Sequence, residues 1–294
     1  MLRSFCERIA NNTTASCIAV VLTSLLLPFA IAPACAAMDV PSLWDPKRRP
    51  DRPDVRSLRQ IRFLTEDDYP PFNFVGTSGQ LEGFNVDIAR AVCAELAVPC
   101  LIQSRRWDTI VAALEAGQGD IIAASLAPTP EARGRLLFTD PYYRTPARFL
   151  VRRQGAPAEA SVAALKDRPV AVVAGSAHEA FLTRFFPGVR VVQKPTELAA
   201  FDAVRQGEVD AALTDGTAAA FWLNGAASEA CCRFLGGPYL ESLFFGEGVG
   251  MALRPSDEKL KKAVDFALFR LWEKGVYADL VRRWFPISPY AEAE

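Results

Sequence analysis

Polar and aromatic side chains follow the predicted strands of this chain at the points where the strands end. The segment TEDDY (65–69) follows the first predicted strand, Ser125 and Asp215 end two others, and Trp107 begins a helix. In open α/β sheets, ligands bind outside the carboxyl ends of the strands. Together with Arg133, at the start of the next helix, this set suits a zwitterion: arginine for a carboxylate, aspartate for an ammonium and an aromatic face for the remainder.

The sequence lacks the motifs that would support catalysis or metal binding. It contains no G-x-S-x-G, H-E-x-x-H, C-x-x-C or P-loop pattern. His178 is the only histidine, and its position in the first turn of a predicted helix favours a solvated side chain. A formal net charge of -1 without a basic block also argues against nucleic acid binding. We therefore expect no cofactor, no metal and no enzymatic activity.

Strands alternate with helices from Ile61 onward, which predicts a mainly parallel sheet with helices on both faces. The segments ALEAGQGDIIAAS, from Ala113, and AVRQGEVDAALTD, from Ala203, repeat alanine, glycine and aspartate at the same offsets. This echo suggests two similar α/β lobes, although any helix–glycine–strand junction has the same features.

Ser176 and Glu179 form a capping box at the start of a helix. The free N–H groups of that helix start could hold an anion.

From about Ile61 to Phe285, the chain resembles the bacterial extracellular solute-binding proteins for polar amino acids, family 3. The matching segments keep the family's order and spacing: DDYPPFNF, GFNVDIARAVCAEL, WDTIVAAL, GQGDIIAASLAPTPEARGRLLFTDPYY, VAVVAGS and GEVDAALTD. The resemblance implies a type II periplasmic-binding-protein-like fold, with two α/β lobes joined by a two-strand hinge and the ligand cleft between them. Residues 61–148 and 250–294 would form lobe 1, and residues 149–249 would form lobe 2.

The resemblance also implies ligand-binding positions in lobe 1. Tyr69 and Trp107 match the aromatic residues that enclose the ligand side chain. Glu66 falls on an acidic position that often contacts the ligand. Ser125 and Ala127 fall on the strand-end positions that offer backbone and hydroxyl groups, although Ala127 has no hydroxyl.

In lobe 2, the resemblance implies that Ser176 and Ala177 begin the helix that meets the ligand carboxylate, and that Asp215 binds its ammonium. Such a protein would capture an amino-acid-like ligand by hinge closure. It would deliver the ligand to an ABC transporter permease in the inner membrane, and we expect it to be a monomer. Two alternatives remain: a cyclohexadienyl-dehydratase-like enzyme on the same fold, with Glu66 or Glu179 as its acid, and a ligand-presenting sensor or accessory protein.

Arg133 departs from the family's pattern. The family has Thr-x-x-Arg, and counting from Thr129 places that arginine position on Ala132, one residue early, while Phe138 keeps its usual spacing. A slide of one residue rotates a side chain by about 100° around a regular helix. Either the helix start is rewound and Arg133 still clamps the carboxylate, or the clamp is lost. We expect the first.

The N-terminus predicts a secretory signal peptide over residues 1–37, because basic residues, an apolar run and the small-residue segment APACAAM follow one another. The apolar run is too short for a membrane span, so we expect cleavage and a periplasmic location. The residues before Cys35 make a poor lipobox, so a lipid anchor is not expected. Residues 38–60 form a Pro/Arg-rich extension that Trp44 would pin, and this extension keeps the sensor alternative open.

Four cysteines follow the signal peptide, and an exported chain meets an oxidising compartment. Cys93 and Cys100 end a helix and start a strand, so the turn can bring them together in a disulfide. The same spacing occurs in some basic-amino-acid-binding members of the family. Cys231 and Cys232 are adjacent, and we expect two free buried thiols there because a bond between neighbours is strained.

Overall fold

The structure is a computed structural model that describes Val40, residues 42–285 and residues 287–290. The signal peptide expected over residues 1–37 and Cys35 lie outside the described residues. Among the described residues, no helix is long and apolar enough to cross a membrane.

The described residues form strands and helices that alternate along the chain. The strands are β1 (Ile61–Thr65), β2 (Asp68–Tyr69), β3 (Asn73–Val75), β4 (Leu81–Glu82), β5 (Cys100–Ser104), β6 (Ile121–Ile122), β7 (Leu137–Phe138), β8 (Ala147–Arg152), β9 (Pro169–Val173), β10 (Arg190–Lys194), β11 (Ala211–Asp215), β12 (Cys232–Tyr239) and β13 (Ala252–Leu253). The helices are α1 (Phe84–Leu96), α2 (Trp107–Glu115), α3 (Pro130–Arg133), α4 (Val162–Leu165), α5 (Ala177–Phe185), α6 (Glu197–Gln206), α7 (Gly216–Asn224), α8 (Ser242–Phe245), α9 (Glu258–Glu273) and α10 (Val276–Trp284), with a 3-10 turn at Ala226–Ser228.

Two five-stranded sheets organise the chain into two lobes. The first sheet has the order β5-β1-β6-β13-β7 and the second has the order β10-β9-β11-β8-β12. Each sheet begins with three parallel strands and continues through two antiparallel pairings. The expectation of a mainly parallel sheet is therefore replaced by two mixed sheets of the same design. In each sheet the fourth strand, β13 or β8, is the first strand that the chain forms after crossing from the other lobe.

Apolar clusters cover both faces of each sheet, as the alternation of strands and helices predicts. In the first lobe, α1, α9 and α10 contribute to a large core on one face, and α2 contributes to a second core on the other. In the second lobe, α6 and α7 cover one face while α5 and α8 cover the other. The repeated helix–glycine–strand segments occupy equivalent places, α2 before β6 and α6 before β11. Gly117 and Gly207 both end their helices at positive φ, which glycine adopts without steric cost.

The segment DDYPPFNF forms a short hairpin rather than a simple turn. Asp68 pairs with Phe74 and Tyr69 pairs with Asn73, so β2 and β3 run antiparallel on either side of the two prolines. A third strand, β4, then pairs with β3. Prolines cannot donate backbone hydrogen bonds, and they occupy the loop of this small sheet, where no ladder bond is needed.

The N-terminal extension is packed against the first lobe. Trp44 is only 8% exposed, and its ring lies 5.0 Å from that of Tyr277 and 6.2 Å from that of Trp272. Val55 and Leu58 are partly buried against the same core. The prediction that Trp44 pins the extension is confirmed.

The end of the described chain reaches residues of the second lobe. Ile287 packs against the core between α6 and α7. The buried guanidinium of Arg148, in β8, donates from Nη1 to the carbonyl oxygen of Pro289 at 2.9 Å. Tyr290 forms hydrogen bonds with the backbone of Arg144. The sequence assigns residues 250–294 to lobe 1, whereas in the structure residues 287–290 contact both lobes.

Both cysteine pairs are bonded. Cys93 and Cys100 form the expected disulfide, with Cα atoms 5.8 Å apart. Cys231 and Cys232 are also joined, so the expectation of two free thiols is wrong. Glu229 and Ala230, just before this pair, both have positive φ. In a regular strand, neighbouring side chains point to opposite faces, and the two sulfurs can meet because the pair stands at the strand entry, directly after this turn.

Candidate functional site

The first-lobe side of the candidate site is a cavity of about 400 Å³. Its lining consists of residues at strand ends and one helix start: Glu66, Asp68, Tyr69, Trp107, Ala124 and Ser125. Tyr69 is 46% exposed and Trp107 is 48% exposed. Two large aromatic side chains that remain this open beside carboxylates offer a surface for a ligand. Ala127 is exposed and is not among the lining residues.

A buried hydrogen-bond network holds the floor of this cavity. Asn85 Nδ2 donates to Asn73 Oδ1 at 2.7 Å and to Ser125 Oγ at 2.9 Å. Tyr142 OH donates to Asn85 Oδ1 at 2.6 Å, and Asn73 Nδ2 donates to the Glu66 carbonyl at 3.3 Å. Ser125 has a φ of 60°, a left-handed conformation that a non-glycine residue adopts only when its surroundings hold it there. The network therefore fixes the strand end that faces the cavity.

The second-lobe side of the site is acidic. Asp215 ends β11 and caps α7, because its Oδ1 accepts hydrogen bonds from the N–H groups of Thr217 and Ala218 at 2.8 and 2.9 Å. Glu197 is the first residue of α6, and its Oε1 accepts a hydrogen bond from Thr214 Oγ1 at 3.1 Å. Burial raises the pKa of Glu197, and the neighbouring charge of Asp215 raises it further. Glu197 is thus held by Thr214, the residue that precedes Asp215 at the end of β11.

Tyr69 connects the acidic groups of the two lobes. Burial raises the pKa of its hydroxyl, and the negative charges of Asp215, Glu197 and Glu66 raise it further, in that order. Burial and the charges of Asp68 and Asp67 likewise raise the pKa of Glu66. The sequence-predicted residues Glu66 and Asp215 therefore both contribute to the raised pKa of Tyr69.

Ser176 begins α5 as predicted. Its Oγ accepts a hydrogen bond from the N–H of Glu179 at 3.2 Å, and Glu179 Oε2 accepts one from the N–H of Gly175 at 2.6 Å. Ala177 is exposed in the first turn. Ser176 and Glu179 line a separate cavity of about 760 Å³, which the structure does not merge with the cavity of Tyr69 and Trp107.

His178 is not the solvated side chain that the sequence suggests. Its ring lies 5.2 Å from the ring of Phe245 in α8. Burial lowers the pKa of the His178 imidazole, and the nearby negative charge of Asp215 opposes that shift. The packing of α8 against α5, which the sequence does not reveal, covers this histidine.

Arg133 is engaged by the protein itself. Its Nε donates to the carbonyl oxygen of Pro128 at 3.1 Å, and its Nη2 lies 3.4 Å from Glu247 Oε2. The guanidinium also lies 5.7 Å from the ring centre of Phe138. Thr129 caps the short helix α3, so the turn is regular, and Arg133 is not among the residues that line the cavity of Tyr69.

The arrangement contains recognition groups rather than a metal centre. Among the described residues, no group of three or more His, Cys, Asp or Glu side chains is placed to hold a metal ion. Carboxylates, two open aromatic rings and helix starts are groups that bind a small polar molecule through hydrogen bonds and charge.

Comparisons with known proteins show the family of this chain. Residues 61–287 match the family model of the bacterial extracellular solute-binding proteins, family 3. This chain belongs to that family. The putative ABC transporter arginine-binding protein 2 of Escherichia coli K12 is 30% identical to this solute-binding protein over 225 residues, 76% of this chain and 90% of that protein. The L-arginine-binding protein of Pseudomonas aeruginosa is 30% identical over 240 residues, 81% of this chain and 92% of that protein.

The solved structures place the fold of this solute-binding protein among the type II periplasmic binding proteins. An ancestral cationic amino acid solute-binding protein superposes with a TM-score of 0.60 at 28% identity, over 79% of this chain and 97% of that one. The two-lobe architecture expected from the sequence is confirmed.

Sequence reasoning missed two residues of the candidate site. Asn85 lies on the buried side of α1, and a polar residue amid an apolar helical face was the available signal. Glu197 begins α6, and an acidic residue in the first turn of a helix is usually interpreted as stabilising that helix. Thr196 already caps that helix, because its Oγ1 accepts a hydrogen bond from the N–H of Ala199, so nothing in the sequence separates the two roles of Glu197.

Proposed function

We propose that this solute-binding protein captures a cationic amino acid between its lobes and delivers it to an ABC importer. The observation that carries the proposal is the first-lobe cavity, in which Glu66 and Asp68 lie beside the open rings of Tyr69 and Trp107. The lining of the first-lobe cavity includes two carboxylates and no basic residue. A cation would gain both charge attraction and contact with the open aromatic faces.

The relatives support this ligand class. Two of them carry arginine-binding in their names, and the superposed ancestral protein is described as a cationic amino acid solute-binding protein. Both relatives at 30% identity are named as binding proteins, which supports a binding protein rather than an enzyme.

In the proposed complex, Tyr69 and Trp107 enclose the ligand side chain, with Glu66 and Ser125 beside them. Asp215 binds the α-ammonium through the carboxylate oxygen that its helix cap leaves available, since the cap uses Oδ1. The N–H groups at the start of α5, around Ser176 and Ala177, would meet the carboxylate, as would the backbone near Ala127. Arg133 would clamp that carboxylate after exchanging Glu247 for the ligand.

Closure would bring these groups together. The chain crosses between the sheets over residues 139–146 and 240–251, and the two crossings pair through a bridge between Tyr143 and Val249. A ligand that contacts both lobes binds the closed form more tightly, so it shifts the population toward closure. We further propose lobe boundaries near these crossings, cleavage of the signal peptide, a periplasmic location and a monomeric state.

The test is isothermal titration calorimetry of the protein beginning at Met38 with arginine, lysine, ornithine, histidine, glutamine and prephenate. We expect the cationic amino acids to bind. When the concentration of such a ligand is a hundred times its dissociation constant, binding should raise the free energy of unfolding by about 2.7 kcal/mol. Replacing Trp107 by alanine should weaken binding, whereas replacing Leu243, which is 90% exposed on α8, should not. Turnover of prephenate, or binding of none of these amino acids, would contradict the proposal.

A further inference from the structure

We infer that residues 287–290, named here the C-terminal strap, hold the two lobes in the arrangement of this structure and so oppose closure over a ligand. The strap follows α10, a helix of the first lobe, but its contacts lie on the second lobe and on a crossing between the lobes. The inference rests on the proposed function, because it concerns the closure that the ligand would drive.

The strap is anchored in the second lobe by a buried hydrogen bond. The carbonyl oxygen of Pro289 accepts this bond from Arg148 Nη1 at 2.9 Å. Arg148 is fully buried at the start of β8, and its guanidinium lies 4.6 Å from the ring centre of Phe234 in β12. Ile287 packs against the apolar core beneath α6 and α7. Because a buried charged donor is costly to leave without its acceptor, these contacts attach the strap firmly to the second lobe.

The residue that ends α10, Phe285, joins the strap to the first lobe. Phe285 is 6% exposed, and its ring lies 5.1 Å from that of Phe84 and 5.7 Å from that of Phe72, both in the first lobe. The same ring lies 5.8 Å from that of Phe221, in α7 of the second lobe. The chain therefore already touches both lobes where it leaves α10.

Tyr290 attaches the strap to one of the crossings between the lobes. Its hydroxyl accepts a hydrogen bond from the N–H of Arg144 at 3.3 Å and donates one to the carbonyl oxygen of Arg144. The neighbouring residue Tyr143 forms the bridge to Val249 of the other crossing. The strap thus holds the backbone of the segments that must change their dihedral angles when the lobes rotate.

Little space is left around the strap. A cavity of only about 20 Å³ remains there, and it is lined by Phe72 of the first lobe, Thr217 of the second lobe, Tyr143 of the crossing and Tyr290 of the strap. That volume has room for about one water molecule. Close-packed side chains do not deform gradually, so a rotation of one lobe against the other must break or rebuild these contacts.

The strap makes these contacts while the proposed ligand site is not assembled. Tyr69 and Trp107 of the first lobe line one cavity, and Ser176 of the second lobe lines another. Contacts that are present in one of two states stabilise that state. A ligand must therefore supply the free energy to break them, and its apparent affinity falls with the fraction of molecules that can close.

The experiment compares the protein beginning at Met38 with a shortened form that ends at Phe285, by titration calorimetry with arginine. We expect the dissociation constant to fall about threefold or more in the shortened protein, because more of its ligand-free molecules can close. An unchanged or higher dissociation constant would overturn the inference.

Spin labels give a second measurement that a loss of stability alone would not reproduce. The labels are placed at Leu101→Cys in β5 of the first lobe and Leu198→Cys in α6 of the second lobe, both of which are exposed positions. Without ligand, the distribution of distances between the labels should broaden in the shortened protein and shift toward that of the unaltered protein with arginine bound. An unchanged distribution would also overturn the inference.

Tyr290→Phe decides the question if the shortened protein does not fold. It keeps the ring but removes the hydroxyl that meets Arg144, so the dissociation constant of arginine should fall by about twofold, and no fall would overturn the inference. Tyr239→Phe is the matched control, because Tyr239 packs within the second lobe against Phe149 and Phe181. It should leave the dissociation constant unchanged.

The two proposals fail differently. If the unaltered protein binds cationic amino acids and removal of the strap does not tighten that binding, only the role of the strap is wrong. If the unaltered protein binds no amino acid, the proposed function is wrong, and the label distances in the ligand-free proteins decide the strap. A broader distribution in the shortened protein would then support the strap, and an identical distribution would overturn it as well.

Discussion

Arg133 Nη2 lies 3.4 Å from Glu247 Oε2, so the end of the short helix α3 in the first lobe touches the segment that returns from the second lobe. The arginine that the sequence suggests as a carboxylate clamp is thus held by a carboxylate of the protein. Both side chains are largely exposed, at 48% and 72%, and exposed ion pairs are weak. A ligand carboxylate can therefore compete for the guanidinium at little cost.

The first prediction concerns this contact. Glu247→Gln should increase the affinity for arginine by about 1.4- to fivefold, because an exposed pair is worth roughly 0.2–1 kcal/mol and its loss frees Arg133. The measurement is calorimetric titration, with Glu247→Gln combined with Arg133→Ala as control. A gain of the same size in the double variant would show that Arg133 does not meet the ligand.

The second prediction concerns the network under the cavity. Asn85→Ala should lower the free energy of unfolding by about 2–4 kcal/mol, because Asn73, Ser125 and Tyr142 each lose a buried hydrogen-bond partner. Urea denaturation measures the change. Arg90→Ala, on the exposed side of the same helix, should cost less than about 0.5 kcal/mol, and a similar cost in both variants would argue against the network.

The third prediction concerns Asp120, which precedes β6. Burial opposes its ionisation, but hydrogen bonds from Arg62 to both carboxylate oxygens, with the Arg62 charge, hold the pKa of Asp120 below its ordinary value. Because the folded pKa is the lower one, the stabilisation is present above the ordinary pKa of an aspartate and is lost as the pH falls through the folded value. Asp120→Asn should therefore destabilise the protein at pH 7 by about 1–3 kcal/mol.

That difference should shrink as the pH is lowered, because protonation removes the same charge from the unaltered protein. Denaturation curves at neutral and acidic pH give the measurement. Asp210→Asn is the matched control, since Asp210 precedes β11 as Asp120 precedes β6 but meets its partner Arg168 through one longer contact of 3.2 Å. Asp210→Asn should lower the free energy of unfolding by less than Asp120→Asn does. If the loss caused by Asp120→Asn did not change with pH, the lowered pKa of Asp120 would be wrong.

Much of the fold could be predicted because its signals are local. The helix that begins at Trp107 and the cap at Ser176 are where the sequence places them. The repeated helix–glycine–strand segments do form equivalent parts of two sheets. These features depend on residues within a few positions of one another, so the periodicity and the cap types already contain them.

The candidate site could be predicted only in part. Glu66, Tyr69 and Asp215 follow from strand ends, since parallel strands present those ends on one side of a sheet. The position of Glu197 could not be predicted, because it depends on which strand end α6 packs beside. The disulfide between Cys231 and Cys232 was not predicted either, because the turn at this position replaces the regular strand geometry that would keep the two sulfurs apart.

The sequence by itself determined three things: the family, the alternation of strands and helices, and the types of residue that lie at the strand ends. Only the tertiary structure decided which of those residues meet. Arg133 and Glu247 are 114 positions apart, and Asn85 and Ser125 are 40 apart. Contacts between residues so far apart in the sequence depend on how whole sheets and helices pack, and a local sequence pattern cannot predict that packing.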